Sequence, residues 1–326
     1  MFVPTRKTLR EILCVVAFDF KKMPCYKPLK GWLSVHGGVT FDASQAYRDI
    51  QKEVACGQCI GCRLDRSYEW AARCVHEAQM HEENCFLTLT YSPEHLPADG
   101  SLNKSHFQLF LKRLRKKIAP RKISYFHCGE YGDDLGRPHY HALLFGLEFS
   151  DRRFYKKSKD GHNLYTSETL DQIWGFGSCW IGELNFETAA YCARYCLKKI
   201  TGDAAESHYK GKQPEYCTMS TKPAIGARWA AKYQEQTYRQ DKILINGVLR
   251  KPPRYYDKLL RRTNIKKYEK VKSLRNTEWT FTPVEGKKKL TREQQREQSF
   301  NQTKKRLQVR EEVTNLRLKQ FKRNLE

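Results

Sequence analysis

Hydrophobic and polar positions along the chain fall into short blocks of two different periods. Residues 24–62 are punctuated by Gly and Cys and show little periodicity. From Asp65 to about His81 the pattern is helical, with Trp70, Cys74, Val75 and Ala78 on one face. The run Cys85-Phe-Leu-Thr-Leu-Thr-Tyr91 alternates and predicts a strand. Cys85, Leu87 and Leu89 share one face; Phe86, Thr88 and Thr90 share the other. Phe107, Phe110, Leu111, Leu114 and Ile118 then recur at the spacing of an amphipathic helix, with Ser105 as its expected cap. The opposite face of that helix carries Lys112, Arg113, Arg115, Lys116 and Lys117.

Residues 123–130 and 139–146 read as two strands joined through the loop from Tyr131 to Pro138, which makes them a hairpin. Residues 150–165 are polar and loop-like. Ser167 is placed to cap a short helix to about Trp174, residues 178–184 read as a further strand, and Asn185 is placed to cap a helix from Phe186 to about Ile200. Beyond Gly202 the signals thin. Ile243 to Leu249 is a hairpin pattern with Asn246-Gly247 as a type I′ turn. From about Glu285 the chain is polar and highly charged, a solvated helix or a disordered tail. The expected organisation is an N-terminal extension (1–22), a Cys-rich module (23–64), a main domain (65–202), a C-terminal extension packed on it (203–284) and a basic tail (285–326).

Composition changes this picture in three ways. With 326 residues, 40% apolar and 12% aromatic, the chain can bury a sizeable core. Its formal charge of +24 points to a polyanionic partner, nucleic acid above all. No segment approaches the roughly 18 to 20 apolar residues of a membrane span, so no membrane partner is expected. The short apolar run from Ile12 to Phe18 follows Arg6, Lys7 and Arg10 but is broken by Asp19 and lacks a small-residue cleavage site, which favours an extension with Met23 as an alternative start over a signal peptide. The 12 cysteines are spread through a chain too large to need disulfide staples. Cys85, Cys128, Cys192 and Cys196 sit in apolar patterns as buried thiols, and a reducing cytoplasm is expected.

Candidate chemistry concentrates at His139-Tyr140-His141. Period-2 geometry puts both imidazoles on one face of a strand. Glu130 ends the preceding strand, so the hairpin brings it beside them. Two imidazoles and one carboxylate suit Mg²⁺, Mn²⁺ or another divalent ion with water in the open positions. His127 competes as third ligand, but strict alternation points it to the face opposite Glu130. Tyr191 and Tyr195 stand at i and i+4 of the helix after Asn185, so both hydroxyls project from one face. Arg194 and Lys198 follow each tyrosine by three residues. A phenol has a pKa near 10 and is a poor nucleophile at neutral pH; a neighbouring cation and a metal-bound phosphate favour the phenolate.

A second constellation is Cys56-Gly-Gln-Cys59-Ile-Gly-Cys62. Its two-residue spacings let thiolates converge on one ion, with Gly57 and Gly61 relieving the turns. Cys25 is the first candidate for a fourth ligand and His36 the alternative. Structural zinc is favoured over no metal. An iron–sulfur cluster is disfavoured, because the downstream partner and proline of ferredoxins are missing.

The order Phe86-Leu-Thr-Leu-Thr-Tyr91, Pro138-His-Tyr-His141 and Tyr191-x3-Tyr195-x2-Lys198 resembles the HUH endonucleases that start rolling-circle replication, and most of all the initiators of gokushovirus-like microviruses, small single-stranded DNA phages. The resemblance spans about residues 23–255. It implies an α+β fold: an antiparallel sheet of about five strands with helices mainly on one face, forming the nuclease domain at 65–202, flanked by the Cys-rich module. It also implies origin-specific nicking and rejoining of single-stranded DNA through a 5′-phosphotyrosine, leaving a free 3′-hydroxyl that primes synthesis. Carried over by motif, His139 and His141 are metal ligands, Glu130 the third ligand, Tyr191 and Tyr195 nucleophiles, and Lys198 the supporting cation. Thr88, Thr90, Arg194 and Lys199 are candidate DNA contacts. The chain carries no G-x-x-x-x-G-K-[ST] segment, so a host helicase is expected beside a host polymerase in the bacterial cytoplasm. The alternatives are an HUH transposase or relaxase, or a non-catalytic basic protein that binds nucleic acid.

Overall fold

A computed structural model describes residues 25–36, 38–132, 136–158, 161–198, 204–277, 300 and 303–323. The expected N-terminal extension and Lys199 lie outside them. The chain divides into two compact units, residues 1–65 with 292–317 and residues 66–291 with 318–326.

In the first unit, strands β1 (Leu29–Ser34), β2 (Val39–Thr40) and β3 (Ala46–Val54) form an antiparallel sheet in the order β2-β1-β3. Sequence periodicity missed this sheet because β3 is exposed along nearly its whole length, so neither face imposes an apolar alternation. Helix α1 (Ile60–Ala78) follows, and the boundary between the units falls within it.

The second unit is built on a seven-stranded antiparallel sheet rather than one of about five strands. Its members are β4 (Asn84–Leu89), β5 (Ser124–Tyr131), β6 (Pro138–Phe145), β7 (Arg153–Lys157), β8 (Asn163–Thr166), β9 (Cys179–Gly182) and β10 (Tyr216–Met219), in the order β10-β5-β6-β4-β9-β8-β7. The additional strands are edge elements. β7 and β8 pair as a hairpin where a polar loop was expected. Every β7 residue is exposed, so the segment carries no hydrophobic signature. β10 is a four-residue strand added outside β5.

Helices cover both faces of the sheet, not mainly one. On the first face, α2 (Lys104–Ile118) and α3 (Glu168–Trp174) pack Phe107, Phe110, Leu111, Leu114, Leu170 and Trp174 against Leu87, Leu89, Tyr140, Ala142 and Leu144. On the second, α4 (Phe186–Lys198) and α1 bring Ala189, Cys192, Ala71 and Cys74 onto Phe126, Cys128, Leu143 and Phe145. β6 is buried on both faces from Tyr140 to Phe145, so an apolar layer on one side alone would leave half of it in water. Ser167 caps α3 as expected, accepting from Leu170 N–H. Asn185 likewise accepts from Thr188 N–H at the start of α4. The cap of α2 is Asn103 rather than Ser105. Asn103 Oδ1 accepts both Ser105 N–H and Ser105 Oγ–H, which puts the serine inside the first turn.

Further along, helices Ala227–Lys232, Gln234–Gln240, Arg254–Thr263 and Ile265–Thr277 share a smaller core around Tyr238, Tyr256 and Leu260. The hairpin Ile243–Ile245 to Val248–Arg250 turns at Asn246 and Gly247, both at positive φ as a type I′ turn demands. His76 of α1 stacks on Trp229 at 3.5 Å and sets its Nδ1 2.9 Å from Tyr256 Oη. Among the described residues, no helix is long and apolar enough to cross a membrane.

Candidate metal and tyrosine site

The site is built by register. Glu130 pairs with His139 across the β5–β6 ladder, and His141 pairs with Cys128 on one side and with Thr88 of β4 on the other. Alternation then sends Glu130, His139, His141 and Thr88 to the same face, beneath α4. His139 Nε2 and His141 Nε2 each lie 2.8 Å from Glu130 Oε1. Tyr191, in the second turn of α4, sets its hydroxyl 3.2 Å from the same oxygen and 3.4 Å from His141 Nε2. Glu130 and His141 are buried, at 1% and 5% exposure, whereas His139 is half-buried on the open side. Burial alone would raise the Glu130 carboxyl, but its contacts with the two imidazoles outweigh this and hold it down at about 2.

The donor set fits a divalent cation. His139 Nδ1 faces the Arg137 carbonyl at 3.2 Å, and a carbonyl can only accept, so Nδ1 carries the proton and Nε2 offers a lone pair. That lone pair points at an ionised carboxylate oxygen, an arrangement that calls for a positive charge between them. Thr88 Oγ1, 3.1 Å from His141 Nδ1, gives the second imidazole the same kind of outer partner. The ligand atoms of Glu130, His139 and His141 all lie within 4.8 Å of one another, close enough to share one ion.

Other candidate residues are distributed as follows. Arg194 extends over the Tyr191 ring, with Cζ 5.8 Å from its centroid. Tyr195 and Lys198 belong to α4, but their side chains are outside those described. Thr90 Oγ1 donates to the Ser178 carbonyl at 2.8 Å. His127 takes the opposite face, stacked on Phe107 at 3.4 Å with Nδ1 3.0 Å from Thr218 Oγ1. Burial pushes its pKa well below that of a free histidine. Phe86 is the residue that pattern reading overlooked. Its ring lies parallel to His141 at 5.4 Å and meets Tyr191 edge-on at 6.3 Å, bracing both. The signal was present, since alternation already put Phe86 on the Thr88 face.

Taken together, an α+β protein has a carboxylate–dihistidine cluster on its central hairpin and a tyrosine hydroxyl directly above it. Residues 84–200, from β4 through α4, match the family model described as replication-associated protein ORF2. The chain is 35% identical to the replication-associated protein VP4 of Bdellovibrio phage phiMH2K over 259 residues, 76% of this chain and 80% of the relative. It is 37% identical to the replication-associated protein ORF2 of Spiroplasma virus 4 over 227 residues, 65% and 69% of the two chains. The replication-associated protein ORF4 of Chlamydia phage 1 is 32% identical over 234 residues, 68% of this chain and 58% of that one. The chain therefore belongs to the replication-associated protein family of microviruses. No solved structure matches it significantly.

Proposed function

We propose that this protein is a rolling-circle replication initiator of the two-tyrosine HUH type. It nicks and rejoins single-stranded DNA at the phage origin by tyrosine transesterification. The observation that carries this reading is the approach of the Tyr191 hydroxyl to Glu130 Oε1 and His141 Nε2, at 3.2 and 3.4 Å. A nucleophile so close to a cluster fit for Mg²⁺ or Mn²⁺ is the arrangement that phosphoryl transfer needs. A divalent ion bound there supplies Lewis-acid charge to a phosphate oxygen. The protein's own residues supply the rest. Glu130 orients the phenol by accepting its hydrogen bond, Thr88 and the Arg137 carbonyl fix the imidazole tautomers, and Arg194 favours the phenolate.

Tyr191 Oη forms a bond to a backbone phosphorus, and the bond from that phosphorus to the 3′ oxygen breaks. The phenolic proton is lost and the 3′ oxygen gains one, leaving a 5′-phosphotyrosine and a 3′-hydroxyl primer. One phosphodiester replaces another, so the step needs no energy input and runs backward to rejoin strands. Tyr195, one helical turn on, is the second nucleophile and Lys198 the accompanying cation. Arg194 and Lys199 contact DNA. The exposed strand Arg153-Phe-Tyr-Lys-Lys157 adds aromatic and cationic groups suited to a single strand. Host polymerase and helicase complete replication in the bacterial cytoplasm.

The test uses 3′-labelled single-stranded oligonucleotides tiled across a microviral genome, with Mn²⁺, on denaturing gels. Wild type should acquire the label covalently, and the Tyr191→Phe, Tyr195→Phe double variant should not. A labelled adduct in the double variant, or none from wild type on any oligonucleotide, would contradict the proposal.

A further inference from the structure

Outside the segment that the family model matches, Cys25, Cys56, Cys59 and Cys62 converge so that their sulfurs lie within 4.8 Å of one another. His36, the alternative ligand from the sequence, is not part of the group. Cys59 and Cys25 sulfurs are 3.8 Å apart, and Cys56 and Cys62 sulfurs 4.0 Å. These separations are far too long for a disulfide. They match the edges of a tetrahedron of thiolates about 2.3 Å from one central ion, which are about 3.8 Å. Sulfurs bound to different irons of a cluster would stand further apart.

The backbone is arranged for thiolates as well. Cys25 Sγ accepts Cys56 N–H at 3.2 Å, and Cys59 Sγ accepts Tyr26 N–H at 3.3 Å. Cys56 Sγ accepts the N–H groups of Cys59 and Gln58 at 3.2 and 3.4 Å. Gly57, at a φ of 74°, allows the turn that makes this possible.

Tyr26 connects this cluster to the C-terminal helix Lys304–Arg323. Its ring packs with Cys59 and Leu307 in a small buried core, and its hydroxyl lies 2.8 Å from Thr314 Oγ1. Lys27 pairs with Glu311 at 3.4 Å. Leu307, Glu311 and Thr314 are spaced i, i+4 and i+7, so they form one face of the helix. Tyr26 and Lys27, which hold this face, directly follow Cys25 in sequence, and Cys59 belongs to the cluster itself.

We propose that Cys25, Cys56, Cys59 and Cys62 form a structural Zn²⁺ site, and that the bound ion anchors residues 304–317 of the C-terminal helix to the Cys-rich module through Tyr26. The basic tail is then a docked element whose attachment depends on metal, rather than a free electrostatic arm.

The full-length protein tests this directly. A thiol-specific mercurial should release one equivalent of zinc per chain from wild type. Cobalt substitution should produce a sulfur-to-cobalt charge-transfer band, which a carboxylate–imidazole site cannot give. Stripping the zinc should lower hydrogen-exchange protection over 304–317 at least about tenfold and leave β5 and β6 unchanged. Leu307→Ala should loosen the same segment while retaining zinc. Glu130→Gln, which impairs the other candidate metal site, should keep the mercurial-releasable zinc. Should Cys59→Ser fail to fold, the wild-type measurements suffice. Iron in place of zinc, no cobalt–sulfur band, zinc lost in Glu130→Gln, or protection over 304–317 unaffected by stripping would each overturn the proposal. None of these outcomes bears on whether Tyr191 attacks DNA.

Discussion

Glu130 and His139 are register partners next to the turn of the β5–β6 hairpin, and Glu130 Oε1 lies 2.8 Å from His139 Nε2. With His139 Nδ1 donating to the Arg137 carbonyl, the pair sets a lone pair against a carboxylate, and a cation resolves the conflict. Glu130→Gln keeps the shape and removes the charge. It should weaken Mn²⁺ binding by more than the roughly 10- to 100-fold typical of losing an outer-shell partner. Manganese titration followed by electron paramagnetic resonance reads this, and an unchanged affinity would remove Glu130 from the ligand set.

Thr88 acts on His141 as the Arg137 carbonyl acts on His139, through Nδ1. Thr88→Val should lower metal affinity by about 10- to 100-fold with little change in melting temperature, and Thr88→Ser should restore it. Equal behaviour of the valine and serine variants would mean that the hydroxyl has no positioning role.

His76 gives the fold an acid-sensitive point away from the site. It is buried against Trp229 and Tyr256, and burial lowers its pKa from 6.5 to about 3. The unfolded chain binds this proton below pH 6.5 while the folded chain refuses it. The contribution is therefore complete above pH 6.5 and is lost as pH falls toward 3, at about 1.4 kcal/mol per unit. Urea unfolding at pH 7 and pH 4.5 should show wild type losing about 3 kcal/mol more than His76→Phe. Parallel losses in the two proteins would exclude His76 as the cause.

The centre of the molecule was readable from the chain because burial there is one-sided by position. Alternation in 123–130 and 139–146 specifies which residues share a face, and that grouped Glu130 with His139 and His141 and set His127 apart. The stripe from Phe107 to Ile118 defined α2 for the same reason. The edges were not readable. β7 buries nothing, so Arg153 to Lys157 show no period, and β3 fails likewise. β10 is short, and only its pairing to β5 marks it as a strand. The second helical layer was missed because Ala71, Cys74, Ala189 and Cys192 are small, and small residues bring backbones close without leaving a strong hydrophobic trace. Phe86 was assigned to the correct face, but its contact with His141 and Tyr191 depends on α4 lying across β4 and β6, which no local pattern encodes.

The most direct measurement is the mass of the DNA-linked peptide. Wild-type protein is trapped on a cleavable single-stranded oligonucleotide with Mn²⁺, digested with nuclease and protease, and sequenced by tandem mass spectrometry. The mechanism predicts a nucleotide-5′-phosphate on Tyr191 or Tyr195, moving wholly to the remaining tyrosine when either is changed to Phe. A nucleotide on any other residue, or cleavage with no peptide carrying one, would contradict it.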